Sequence, residues 1–144
     1  MASGTRATEA KASDLVSIFK ALSDATRLRI VSLLTQGDLC VGELEYILGV
    51  SQTNVSRHLD RLRRAGLVTS RKQAQWVYCG LPADLSLRHP AVADLISREM
   101  SGTEECAADL RALRRYRESG MTCEELPNCR RNRTPRGKAA RKDR

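Results

Sequence analysis

Residues 51–67, SQTNVSRHLDRLRRAGL from Ser51 to Leu67, decide how the rest of the chain is read. Val55, Leu59 and Leu62 recur at helical spacing, while Gln52, Thr53, Ser56 and Arg57 crowd the opposite side of the first turns. Ser51 supplies an oxygen for the free backbone N–H groups of a helix start, and Gly66 can take the left-handed conformation that ends one. A polar face of short amides, hydroxyls and arginines suits base edges and phosphates. A basic surface helix fits the stretch equally well, so its flanks must decide.

Upstream, Val41 to Leu48 make a short helix with Leu44, Ile47 and Leu48 inward, and Gly49-Val50-Ser51 form a three-residue turn into the quoted stretch. Two helices joined by a brief Gly-containing turn are a helix-turn-helix, whose second helix enters the DNA major groove. Downstream, Leu67-Val68-Thr69 and Trp76-Val77-Tyr78-Cys79 are β-prone runs around a polar, basic connection. They predict a two-stranded hairpin with Arg71 and Lys72 near its tip, a wing whose cations can lie on phosphates.

Further out, Leu15, Ile18, Phe19 and Leu22 stripe a first helix, and Ser23-Asp24 offer a cap for a second. That second helix is apolar almost all round, with solvent expected only at Arg27 and Arg29. Pro90 suits a helix N1 position ahead of Val92, Leu95, Ile96 and Met100. Ser101-Gly102-Thr103 breaks the pattern before a last helix through Cys106, Leu110 and Leu113. These late helices lack an evident partner, so they are expected to pair with a second copy together with the first helix. A homodimer also sets two recognition helices about one DNA turn, ~34–36 Å, apart. The expected organisation is a disordered N-terminus over 1–12, a winged helix-turn-helix with dimerisation helices over 13–118, and a Cys-containing segment with a basic disordered tail over 119–144. The fold class is mostly α with a small β-hairpin.

At 144 residues the chain has the size of one domain, and 3% aromatics favour an aliphatic helical core over a sandwich or barrel. The net charge of +8 is uneven: residues 130–144 hold eight Lys/Arg and one acid, leaving 17 basic and 16 acidic groups before them. The informative concentration is Val50 to Gln73, with Arg57, Arg61, Arg63, Arg64, Arg71 and Lys72 against Asp60. It points to a polyanion, here double-stranded DNA. No apolar run approaches the ~20 residues of a membrane span, and the first residues carry no secretory pattern, so a cytoplasmic location is expected. Five cysteines in that setting argue for metal, metalloid or redox chemistry over a disulfide framework. No nucleophile–base pairing, phosphate loop or catalytic metal spacing suggests an enzyme.

Phe19-Lys20-Ala21-Leu22-Ser23-Asp24-Ala25-Thr26-Arg27-Leu28-Arg29-Ile30, Leu39-Cys40-Val41-Gly42-Glu43-Leu44, Ser51-Gln52, Ser56-Arg57-His58-Leu59, Gly66-Leu67-Val68, Arg71-Lys72-Gln73 and Trp76-Val77-Tyr78 follow in order. Over about Leu15 to Leu81 the chain thereby resembles the arsenical-resistance repressor (ArsR/SmtB) family. The resemblance implies a homodimeric winged helix-turn-helix repressor that leaves its operator when a metal or metalloid binds. One zinc-type site of the family needs a His-x-x-His that does not follow Asp84 and His89 here. The arsenite-type site uses Cys-x-Cys, where Cys40 matches the first position and Gly42 replaces the second thiol.

Trivalent arsenic and antimony are soft centres that take three thiolates, so Cys40 alone cannot hold them. Cys106, Cys123 and Cys129 cluster late, and six extended residues after a helix ending near Arg117 span far enough to bring Cys123 back beside Cys106. The candidate inducer site is therefore Cys106, Cys123 and Cys129, with Cys40 as a further possible ligand, while Cys79 is a packing residue and His58 a structural or phosphate-contacting one. Gln52, Thr53, Ser56 and Arg57 are assigned to bases or nearby phosphates, and Arg61, Arg71 and Lys72 to the backbone. Two alternatives stay open: a thiol-redox switch using Cys123 with Cys129 or Cys106, and a constitutive basic DNA-binding protein.

Overall fold

The computed structural model describes residues 11–127. Helix α1 (Ala12–Leu22) starts where the Asp14 carboxylate accepts the Lys11 N–H, and it buries Ile18, Ala21 and Leu22. Asp24 caps α2 (Ala25–Leu34) by accepting the Arg27 N–H at 3.1 Å. Ile30, Val31, Ser32, Leu33 and Leu34 are all buried, which makes α2 the centre of the core.

Strand β1 (Leu39–Cys40) leads directly into α3 (Val41–Leu48), and α4 (Gln52–Arg64) follows. Gly49 ends α3 at φ 67°, and Ser51 caps α4 by accepting the Asn54 N–H at 3.3 Å. At the far end of α4, Gly66 (φ 76°) lets its own N–H reach the Arg63 carbonyl and the Leu67 N–H reach the Leu62 carbonyl, both at 3.0 Å. With Leu62 and Leu67 fully buried, this is a Schellman stop whose apolar contact fixes the exit toward the wing.

The hairpin β2 (Thr69–Gln73) and β3 (Trp76–Gly80) is part of a three-stranded antiparallel sheet in the order β1-β3-β2. The expected two-stranded hairpin forms, and β1 adds a third strand beside β3, with Leu39 paired to Cys79 and Cys40 to Tyr78. Two residues show no local strand signal; only their partner strand makes them one.

A single turn, α5 (Leu85–Arg88), leads to α6 (Pro90–Leu95), with Pro90 at its first position. A π-type turn over Ile96–Met100 follows, where the Ser101 hydroxyl donates to the Ile96 carbonyl at 2.9 Å and lies 3.1 Å from the buried Ser32 hydroxyl. Helix α7 (Glu104–Glu118) is capped by Thr103.

Two expectations fail along these helices. Helix α7 does find a partner within the chain: it packs on α2 and α3, and the Asp109 carboxylate accepts from Arg29 Nε at 2.7 Å and Nη2 at 2.9 Å. Nor is Arg27 solvated. It is 8% exposed, because its guanidinium donates to the Ala21 carbonyl at the end of α1 and, at 3.4 Å, to the Lys20 carbonyl that Ser23 also caps. After Gly120 the chain turns back onto the domain, burying Cys123 and Leu126.

Candidate nucleic-acid interface

Helix α4 divides as its sequence predicts. Val55, Leu59 and Leu62 are fully buried, whereas Gln52, Thr53, Arg57 and Arg61 are exposed and Ser56 is half-buried. Asn54, not singled out from sequence, shares the exposed first turn; its amide was the available signal. Thr53, Arg57 and Arg61 are spaced four apart, so they form one row along the helix. Arg61 also lines a cleft of about 230 Å³ with Lys20, Arg27 and Arg64, which extends the positive field toward the end of α1.

The remaining basic residues of α4 are partly committed within the chain. Arg63 pairs with Asp60 and donates from Nε to the Ser70 hydroxyl at 2.6 Å, tying the helix to the root of the wing. His58 Nδ1 lies 3.3 Å from Arg27 Nη1 and 3.8 Å from Asp24 Oδ1, so this ring links α4 to the α1–α2 junction. Burial pushes the Asp24 carboxyl upward, but the Arg27 N–H bond and the charges of His58 and Arg27 outweigh it and hold the group below the ordinary carboxylate range.

On the wing, Arg71 stands opposite Tyr78 and Lys72 opposite Val77. Adjacent strand residues leave opposite faces, so the two cations project from the two sides of the hairpin. The Arg71 guanidinium lies 5.0 Å from the Tyr78 ring centre, with Nε 3.3 Å from Asp38 Oδ2 and Nη1 2.6 Å from Gln73 Oε1. Asp38 itself occupies the space over Gly80, where any Cβ would overlap its carboxylate. Arg71 is thus held in a defined direction, and Lys72 is exposed at the surface.

The cysteines group differently from the arrangement expected. Cys123 is joined to Cys40 by a disulfide, 83 residues away in sequence, with the Cα atoms 7.2 Å apart. Cys40 caps α3: its Sγ accepts the Glu43 N–H at 3.4 Å while Glu43 Oε1 accepts the Cys40 N–H at 2.9 Å. Cys106 is a buried free thiol in the first turn of α7, twelve residues before the helix end at Glu118, ~18 Å along the axis. The expected approach of Cys123 to Cys106 is therefore not what the fold produces, because the turn at Ser119-Gly120 carries the chain past the end of α7 to the start of α3. Cys79 is the fully buried packing residue anticipated, 3.6 Å from the Ser70 hydroxyl. Cys129 lies outside the described residues. Among the described residues, no group of three His, Cys, Asp or Glu side chains is arranged to hold a metal ion.

Comparison with known proteins agrees with this architecture. The sequence profile described as "Bacterial regulatory protein, arsR family" matches residues 24–70. The chain is 41% identical over 86 residues to the arsenic resistance transcriptional regulator ArsR1 of Pseudomonas putida, a match covering 59% of this chain and 62% of that protein. The chain thus spans less than two thirds of that relative. Among solved structures, HlyU of Vibrio cholerae superposes with a TM-score of 0.52 at 38% identity, covering 58% of this chain and 88% of HlyU, itself named a transcriptional activator. The homodimeric winged helix-turn-helix DNA-binding domain of Mb0332 from Mycobacterium bovis gives a TM-score of 0.50 at 26% identity, over 64% of this chain and 86% of that one. With a winged helix-turn-helix in place and these similarities across it, the chain belongs to the arsR family of bacterial regulatory proteins.

Proposed function

We propose that this chain is a homodimeric transcriptional repressor that holds double-stranded operator DNA through α4 and the wing, and that trivalent arsenic or antimony releases it. The observation that carries the DNA reading is the polar face of α4, with Gln52, Thr53, Arg57 and Arg61 exposed and Ser56 half-buried among them, next to the wing that carries Arg71 and Lys72. The first four residues offer amide, hydroxyl and guanidinium groups to base edges or nearby phosphates, while Arg61, Arg71 and Lys72 hold the backbone. Dimerisation is supported by the homodimeric state of Mb0332 and by Val16 and Phe19, which are 50% and 55% exposed on one side of α1.

The inducer reading is supported by the name of ArsR1 and by two cysteines brought into contact beside the helix-turn-helix. In their reduced form Cys40 and Cys123 would supply two soft ligands, and Cys129, six residues further on, is the nearest remaining candidate in sequence for the third. Cys106 is less suited to that set, since it is buried near the opposite end of α7. Ligation there would bear on the N-cap of α3, the first helix of the motif, and inducer acts by preferring the DNA-incompetent state.

Selection from a random duplex pool, followed by fluorescence anisotropy on the selected site with reduced protein, tests this reading. The expected site is an inverted repeat with half-sites about one helical turn apart, and arsenite or antimonite should weaken binding where zinc does not. Absence of any sequence preference would refute the repressor reading; a preference unaffected by both metalloids would refute the inducer.

A further inference from the structure

The two sulfurs assigned above to the metalloid are closed on each other in this structure. Both residues are buried, Cys40 at 1% and Cys123 at 7% exposure. Neither described free cysteine is suited to replace them: Cys79 faces Leu39 within the sheet and Cys106 is near the other end of α7. A disulfide and a metalloid thiolate are mutually exclusive uses of the same atoms, because a soft three-coordinate centre binds thiolate and not disulfide sulfur.

The disulfide also leaves the DNA-binding unit whole. With the bond closed, α3 keeps its capping box, Gly49–Ser51 turns into α4, and Gln52, Thr53, Arg57 and Arg61 remain exposed. The bond fastens the segment after α7 to the start of α3, so it restrains the very element that ligation would move.

Resting on the inducer reading above, we propose that the Cys40–Cys123 pair is a redox gate on metalloid sensing: open as dithiol, it accepts the inducer; closed as disulfide, it leaves the repressor on DNA and insensitive to metalloid. Hydrogen peroxide closes the gate in two steps. One thiolate attacks the peroxide O–O bond, becoming a sulfenic acid and releasing hydroxide, which takes up a proton to give water. The second thiol then attacks the sulfenic sulfur, forming the S–S bond and expelling a second water. Two thiols lose two electrons and two protons, and the peroxide is reduced to two waters. A small dithiol reverses the change by thiol–disulfide exchange.

The test uses the full chain, reduced or treated with hydrogen peroxide, on its selected operator. Peptide mapping without reductant should find Cys40 linked to Cys123 after peroxide. Arsenite should weaken operator binding by about tenfold or more in the reduced protein, leave the oxidised protein bound, and regain its effect after dithiothreitol treatment. Cys129→Ser keeps the gate pair and should still form the link. Release of the oxidised protein by arsenite with the bond intact, release by peroxide alone, or linkage of Cys123 to another cysteine would each overturn the gate while leaving the inducer reading standing. A reduced protein indifferent to arsenite would overturn both.

Discussion

The contact between Arg29 and Asp109 gives a prediction whose size follows from the structure. Asp109 accepts two hydrogen bonds from the Arg29 guanidinium, at 2.7 and 2.9 Å, and joins α7 to α2. Arg29 Nη2 also reaches toward the Leu48 carbonyl at 3.5 Å, at the end of α3 just before the turn into α4. Breaking a fully buried pair costs about 3–5 kcal/mol, whereas a surface pair is worth about 0–1 kcal/mol. Here the side chains are 7% exposed for Asp109 and 27% for Arg29, so an orphaned guanidinium would reach water on one side. Asp109→Ala should therefore fall short of the buried limit and cost about 2–3 kcal/mol, or roughly 6–12 °C in Tm for a domain of this size. Asp109→Asn, which keeps one acceptor, should lose about half as much. Asp94→Ala is the control: its pair with Arg98 is 58% and 79% exposed, and its loss should stay within about 0.5 kcal/mol. Urea unfolding at pH 7, with all variants held fully reduced, measures the three. Equal stability of Asp109→Ala and Asp94→Ala would refute the claim that this pair fastens α7 to the core.

Four further outcomes are expected. Ala74 sits at the tip of the wing with φ 56°, a conformation that Asn tolerates better, so Ala74→Asn should raise stability by about 0.5–1 kcal/mol in the same urea assay. Ser32→Ala removes the buried hydroxyl contact with Ser101 while Ser101 keeps its bond to the Ile96 carbonyl, a loss of about 1 kcal/mol by thermal unfolding. Asp24 is held below the ordinary carboxylate range when folded, so its charge stabilises the protein above pH ~4 and that contribution is lost as pH falls through the folded value; the urea-midpoint gap between wild type and Asp24→Asn should narrow on acidification below pH ~4 and stay level above it. Arg61→Ala and Lys72→Ala should each lower the slope of log affinity against log salt by about 0.9 on operator DNA, and Arg98→Ala, away from α4 and the wing, should not.

Much of the DNA-binding unit was legible because its signals are local. Ser51, Gly49 and Gly66 bracket their helices through caps and left-handed stops that involve only neighbouring residues, and Val55, Leu59 and Leu62 repeat at the helical period. What escaped depends on partners distant in sequence. Arg27 reads as a surface residue, yet the Lys20 and Ala21 carbonyls at the end of α1 and the His58 ring draw its guanidinium inward. Strand β1 exists only through its register with β3. Asp38, which orients Arg71 on the wing, lies 33 residues from it and carries no motif. For the thiols, sequence proximity suggested Cys106 beside Cys123, since an extended segment can retrace a helix. The fold spends that segment differently, turning it across the start of α3 where Cys40 caps the helix.

The central claim, that α4 reads DNA sequence, is tested most directly by the double variant Gln52→Ala/Arg57→Ala, measured by anisotropy on the selected operator and on a scrambled duplex of the same length. Both side chains are exposed in the first turns of α4, so their loss should leave the fold intact by circular dichroism. The account predicts a loss of about 1–3 kcal/mol on the operator and a smaller one on the scrambled duplex, reducing the specificity ratio. An unchanged ratio, with both duplexes weakened alike or not at all, would contradict it.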